Sequence, residues 1–420
     1  MSQKASAPAK YEILRIIKDG KEQPLQGKTI NFNYYESLYS PVVSANMMFV
    51  DAGGSTADDK QNITSIKEGL PITALEDVQV KIQTKFGTLD FSKDAFKVTS
   101  SPIMHQEANR MTVLLNLIND KEIKNTELPI FDRFVGKISD TVKKILKEKL
   151  ELTDDKIEVD PTENKYDFTG RGRGVLNIVR DLCRRSVPVG GDAGYFFYQT
   201  KSAFKYKAID ELIKQEPKTK VFYTGALKSD FETGTEDNDN KIMMEPIFTK
   251  DQDVAKALKS GTYRSRNFFF DPYTFIVKEV TYDLEKDGVK ETLGDPPPFA
   301  DDVESFTKTN NHILDRGSLE ENPSLSINND PQRWQALSVM RYNLLHSQIC
   351  SIQIPCNVEL EAGDVIEIEL ETASDNKDLG QFDETQSGKY IILHLCHHFD
   401  EKKSVTALTL VRDTYGRRKK

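Results

Sequence analysis

Apolar residues alternate with polar ones in short runs through the first third of the chain, at 11–17, 29–35, 46–50, 78–86, 89–98 and 111–118. A period of two sends one face of each run into a core and the other toward water, which predicts strands. Asp19-Gly20, Gly53-Gly54 and Gly87 supply turn chemistry between them. Short strands with little helix between them predict a small antiparallel β-barrel over 11–128.

At Pro129 the period changes. Phe131, Phe134, Val135, Ile138, Val142, Ile145 and Leu146 fall on one helical face, with Lys143, Lys144 and Lys147 elsewhere. A second helical stripe, Val175, Leu176, Val179, Leu182 and Cys183, stops before Pro188 and Gly190-Gly191. Runs at 195–200 and 203–207 then predict a hairpin, so 129–245 reads as an α+β unit. A short helix at 252–259 leads into a strand-rich stretch, 267–282. A helix at 332–346 carries Trp334, Leu337, Met340 and Leu344 on one face. Strands follow at 349–354, 365–370, 389–399 and 405–411, the last two forming a hairpin across 400–403. The expected class is α+β, mainly β: two small antiparallel β-barrel domains, 11–128 and 246–283 plus 332–415, flank the middle unit. The remaining pieces are a flexible tail at 1–10, a Pro-rich acidic insertion at 284–331 and a basic tail at 416–420. Pro296, Pro297 and Pro298 in a row continue neither a helix nor a central strand.

Composition narrows the functional classes. The 420 residues fit two to four domains at about 150 residues each. Hydrophobic residues make up 38%, enough for several cores and too many for a disordered chain. No run approaches the ~18 apolar residues of a spanning helix, and the start has no signal-peptide stretch, so synthesis in the cytoplasm and no membrane-spanning segment are expected. Cys183, Cys350, Cys356 and Cys396 are scattered without Cys-x-x-Cys spacing, which predicts reduced thiols. The net charge of −9 argues against a protein that wraps nucleic acid.

That charge is local. Residues 359–384 hold ten acids and one base, Lys377, and by themselves carry a net −9. Smaller acidic stretches occur at 231–240 and 283–304. Within the main window Glu367, Glu369 and Glu371 alternate with Ile366, Ile368 and Leu370, so a strand there has one apolar face and one uniformly negative face. Like charges along one strand repel, and ordinary surfaces mix signs. Two readings account for the pattern: an ordinary solvent face, or a wall that must let DNA slide past without holding it.

Candidate chemistry is sparse. No Gly-x-Ser-x-Gly occurs, and no catalytic residue is assigned. Gly170-Arg171-Gly172-Arg173-Gly174 precedes a helix and could cradle an anion, but it matches neither nucleotide-binding fingerprint. Arg173, Arg180 and Arg184 then line a solvated or protein-contacting helix face. His394, Cys396, His398 and Asp400 share one face of a strand, opposite Ile391, Leu393, Leu395 and Phe399, with His397 beside them. A His-x-His pair on a strand can hold zinc. No second ligand pair has the spacing to complete a site, so no metal and no cofactor is expected, and the strand's outer face is read as packing against water or another chain.

The helix at 332–346 followed by SQICSIQIPCNVELEAGDVIEIEL and GKYIILHLCHHFDEKKSVTALTLVRD resembles the closing barrel of the baseplate central hub proteins of contractile-tailed phages, T-even type. Leu360-Glu361-Ala362-Gly363-Asp364 resembles that family's turn, and His398 falls where its hairpin carries a His. YDFTGRGRGVLNIVRDLCRRS with GYFFYQTKSAFKYKAIDELI resembles the middle unit, and DQDVAKALKSGTYRSRNFFFDPYTFIVKEV the helix leading into the second barrel. The insertions at 231–245 and 284–331 depart from the family pattern. The resemblance implies a non-catalytic homotrimer whose two barrels per chain make a pseudo-sixfold ring, in a fold shared with type VI secretion spike proteins. It implies a spike protein below, a tail tube or tube-initiator protein above, baseplate wedge proteins around, and genomic DNA passing through without specific binding. The place implied is the tail baseplate of a virion, with Glu367, Glu369 and Glu371 facing the lumen. The alternatives are a wedge or tube-end component, a secretion spike, and a metal-dependent enzyme centred on His394, Cys396 and His398.

Overall fold

A computed structural model describes residues 5–52, 56–57, 63–70, 72–108, 110–223, 237–250, 253–287, 289–294, 308–319, 325–371 and 382–414. The proline run, most of the acidic stretches at 231–240 and 283–304, Asp375, Lys377, Asp378 and the basic tail lie outside these residues.

The period-two runs fold as strands Lys10–Lys18, Thr29–Ser37, Ser44–Ala52, Asp77–Thr84, Gly87–Ser100 and Arg110–Asn119. Their apolar positions turn inward: Phe32 and Tyr34, Met47 and Phe49, Val78 and Val80, Val113 and Leu115 are buried. The C-terminal runs fold as Gln348–Pro355, Val365–Leu370, Gly388–Asp400 and Ser404–Arg412. The two sets are joined in one sheet, because Gly388–Asp400 pairs antiparallel with Thr29–Ser37, His394 opposite Ser37 through Asp400 opposite Asn31. A single apolar core runs from Leu14 to Leu410 beneath both sets. The class is α+β and mainly β, as expected, but the strand ladders do not close into separate barrels. Gly388–Asp400 is the reason. At 13 residues it is long enough to serve Val365–Leu370 with its first half and Thr29–Ser37 with its second, on the same edge. On the far side, between Thr219–Tyr223 and Gln348–Pro355, single backbone bonds span the gap: Ile242 N–H donates to Phe222 O and Met243 N–H to Gln353 O.

In the middle unit, helices Ile138–Leu150 and Val175–Cys183 pack on the hairpin of Tyr195–Gln199 and Phe204–Ala208. The first helix begins later than its apolar spacing predicts. Residues 130–137 run extended, with Ile130 bridging Arg173, Arg133–Phe134 pairing with Phe168–Thr169, and Lys137 bridging Lys165. Phe131 and Val135 are therefore exposed instead of buried on a helix. Helices Asp120–Glu127 and Ile209–Lys214 have no counterpart in the sequence reading. The first is capped by the Asn119 side chain, which accepts the Lys121 N–H.

The stretch at 267–282 is a hairpin of Arg264–Phe270 and Val277–Asp283, and Lys308–Ile313, from the expected insertion, adds a parallel third strand. This small sheet rests on helix Pro331–Leu345. Among the described residues no helix is long and apolar enough to cross a membrane.

Candidate functional site

The histidine-bearing strand lies at the seam of the large sheet. His394, Cys396, His398 and Asp400 share its outer face, as alternation predicts. The opposite face differs from expectation, because a β-bulge between Ile392 and His394 shifts the phase. Tyr390, Ile392, Leu395 and Phe399 face the main core, whereas Ile391 and Leu393 pack under the middle unit. His397 also lies on the core side, fully buried. Its Nδ1 is 2.9 Å from Thr406 Oγ1 and its ring stacks on Tyr34. Burial, reinforced by Lys201, pushes its pKa down to about 3, so it stays neutral.

The three proposed metal ligands have local hydrogen-bonding partners. His394 Nδ1 lies 2.7 Å from Ser37 Oγ, and His398 Nδ1 lies 2.5 Å from Asn33 Oδ1. Burial pushes the Cys396 thiol up to about 11, away from the thiolate a metal requires. Among the described residues no three His, Cys, Asp or Glu side chains are gathered around a common point.

The acid-faced strand, Val365–Leu370, buries Ile366, Ile368 and Leu370 and leaves Glu367, Glu369 and the following Glu371 half-buried. The face is not uniformly negative once its neighbours are in place. Glu367 sits opposite Lys220 on one side and Lys389 on the other. Lys220 Nζ lies 2.8 Å from Glu369, and Lys218 Nζ lies 2.8 Å from Asp364. Lysines drawn from Thr219–Tyr223 and its approach thus interleave the glutamates, giving a wall of paired charges.

Two acids of the same window, Glu361 and Asp364, turn inward at a junction of all three parts of the chain. Tyr34 and Glu36 come from the N-terminal strands, Lys201 and Lys205 from the middle hairpin, and Glu361 to Asp364 from the turn. Glu36 is buried and accepts from Tyr34 Oη at 2.7 Å, Lys201 N–H at 2.7 Å and Ala362 N–H at 2.8 Å. Burial, then the Glu361 charge, pushes its pKa up to about 7 despite those three donors. Burial would raise Glu361 as well, but Lys205, at 2.6 Å, and Lys201 outweigh it and hold that carboxyl below its ordinary range. Gly363 allows the close approach. Its φ is +88°, and a Cβ there would lie 2.4 Å from the Tyr198 hydroxyl.

A second buried ionic cluster fixes helix Pro331–Leu345. Arg341, fully buried, donates from Nε and Nη2 to Asp210 Oδ1 at 3.0 and 2.6 Å, from Nη1 to Asp413 at 3.2 Å, and from Nη2 to Glu291 O at 2.5 Å. One side chain thereby ties the middle unit to the end of the last strand and to the segment between the second and third strands of the small sheet. Nothing in the sequence around Arg341 distinguishes it from a solvent-facing arginine.

The Gly-Arg loop does not form an anion cradle, because its amides are engaged. Gly170 N–H donates to Asp132 O, Gly172 N–H to Ile130 O, and Leu176 N–H, in the first helical turn, to Asn125 Oδ1. Arg173 pairs with Asp181, leaving Arg180 and Arg184 at the exposed rim of a cleft.

No protein-family profile matches the sequence, and no curated protein matches it. Solved structures do. The tail protein from Neisseria meningitidis MC58 superposes with a TM-score of 0.54 at 10% identity, covering 96% of each chain. The prophage MuSo2 43 kDa tail protein from Shewanella oneidensis gives 0.53 at 9% identity, covering 96% of this chain and 98% of its own. An E. coli component of the type VI secretion system reaches only 0.42 at 13% identity, a likeness that decides nothing. Superposition over 96% of this chain shows that it has the fold of these tail proteins, although only about one residue in ten is identical.

Proposed function

We propose that the protein is a structural component of a phage tail, and specifically the trimeric central hub of a contractile-tail baseplate. In this reading the hub adapts a sixfold tail tube, or its initiator, to a threefold cell-puncturing spike. It sits among the wedge proteins in the virion and lines the channel through which DNA leaves. The observation that carries the proposal is the whole-length likeness to two tail proteins.

Glu367, Glu369 and Glu371 face the lumen in this reading. Because Lys220 is paired with Glu369, its charge is neutralised within the wall and offers little grip on a passing phosphate. Light scattering of the purified protein tests the assembly: three times the 47.7 kDa chain mass, with a threefold ring in electron micrographs, is expected. Sixfold rings or stacked tubes would indicate a tube-end component, and a particle without a central ring would indicate a wedge. The lumen assignment has its own test. Reversing Glu367, Glu369 and Glu371 to lysine should give the assembled ring salt-sensitive DNA binding that the wild type lacks. Unchanged binding would place the strand elsewhere.

A further inference from the structure

The small sheet of Arg264–Phe270, Val277–Asp283 and Lys308–Ile313 is covered on one side only. Asn267 and Phe269 turn inward, on the side where Tyr263, Tyr282, Met340 and Leu344 form a core with helix Pro331–Leu345. Alternation sends Arg266, Phe268 and Phe270 to the other face. There the register sets Val277 and Ile313 on either side of Phe270, and the ring of Phe275 meets that of Phe270 edge-on, 6.0 Å between centroids. Phe275 is 79% and Ile313 74% exposed, and Tyr273, Ile276 and Val277 are each more than half exposed.

This apolar tip is held in place. Arg316 donates from Nε and Nη2 to Asp271 Oδ2 at 2.9 and 2.5 Å, while Asp271 Oδ1 accepts the Tyr273 N–H at 3.1 Å. Phe275 N–H donates to Asp271 O and Asp271 N–H to Ile276 O, closing the turn. Phe275 itself has φ +58°, a left-handed conformation that bulky residues rarely adopt. The turn thus fixes an aromatic ring in water at a conformational cost, the arrangement of a preorganised contact residue.

The chain also carries a matching recess. A cleft of about 420 Å³ lies between helices Val175–Cys183 and Pro331–Leu345, with Leu38, Tyr39, Phe196, Val339 and Tyr342 among its apolar lining and Arg180, Asp181 and Arg184 at its rim. We propose that the tip at 273–277 of one copy seats in this cleft on the next copy, forming the contact between protomers. The inference rests on the hub reading and deepens it by naming the surfaces that join. The occupant is a second copy because an exposed apolar tip and a largely apolar cleft are on the same chain. The two patches differ, so the contact is head-to-tail, which closes into a ring when the rotation allows. The five exposed side chains offer on the order of 500–600 Å² of apolar surface. That is at the upper end of what a monomer leaves bare and most of the ~800 Å² per partner in a stable interface.

The test uses the full chain with two variants, Phe275→Ser/Ile276→Ser at the tip and Val339→Asp in the cleft, each checked for a wild-type melting curve. By light scattering over about 1–100 μM, the wild type should reach a three-chain mass, and each variant should need at least about tenfold higher concentration. Mixing the variants should give a two-chain species, since the sound cleft of one can take the sound tip of the other. If both variants trimerise like the wild type, the tip-and-cleft contact is overturned and the hub reading stands. If the wild type stays monomeric throughout, the contact is also overturned, and ring imaging with tail partners then decides the hub reading separately. Should Val339→Asp fail to fold, Tyr39→Asp at the cleft mouth serves the same purpose.

Discussion

The junction around Glu36 and the small outer sheet solve different problems with similar strands. At the junction, a buried carboxylate, two lysines and a glycine turn bring three parts of the chain into one register, each polar group engaging another part. At the outer sheet, one face joins a helix and the other is left to solvent with aromatic residues upon it. Burying charge gains little net stability, but it penalises every misaligned arrangement, so it suits a place where separately formed units must meet in one way. Bare apolar surface does the reverse. It specifies little by itself and is available for contact with another surface.

Removing one charge from the inner region should therefore cost most. Arg341→Met leaves Asp210 and Asp413 buried without their cation and should lose about 3–5 kcal/mol in urea unfolding. Adding Asp210→Asn and Asp413→Asn should restore part of it, and a single-variant loss below about 1 kcal/mol would contradict the account. Gly363→Ala comes next, at about 3 kcal/mol, because it meets both a left-handed φ and the Tyr198 hydroxyl. Pairing it with Tyr198→Phe should recover only the steric share.

The pH response of Glu36 is smaller and has a definite sign. Its folded pKa of about 7 lies above the ordinary 4.5, so the folded chain holds more protons between those values. Its contribution is complete below about pH 4.5 and is lost as pH rises through 7, on the order of 3 kcal/mol at most. The wild type should lose stability relative to Glu36→Gln between pH 5 and pH 8, measured by melting at each pH, and parallel curves would refute it. Smallest of all, Phe275→Ser should change the stability of the isolated protomer by no more than about 0.5 kcal/mol, since the ring touches little but Phe270. A larger loss would mean that the outer face belongs to the fold itself.

The strands were legible because a period of two is hard to produce otherwise. All six N-terminal runs fold as strands, and so do the four C-terminal ones. The helix foretold from Phe131 forms only from Ile138, because pairing of 130–137 with Phe168 and Arg173 gives the backbone of its first turns another set of partners. The face assignment of Ile391 and Leu393 failed at a bulge, which inserts one residue and leaves no mark in composition. Charge was the least legible property. Lys220 lies far from Glu369 in sequence yet pairs with it, and Arg341 looks like any surface arginine until its aspartates arrive from positions 210 and 413.

The seam strand also sets an order of events during synthesis. Ser37 and His394 are neighbours in the finished sheet but 357 residues apart in the chain. At roughly 5–20 residues per second, about 20–70 s pass between the emergence of one from the ribosome and the other. Through that interval the strand Thr29–Ser37 has a free edge, open to pairing with other nascent chains. Asn31 and Asn33, whose side chains lie outside the core, keep that edge polar, and the seam becomes the last lock to close.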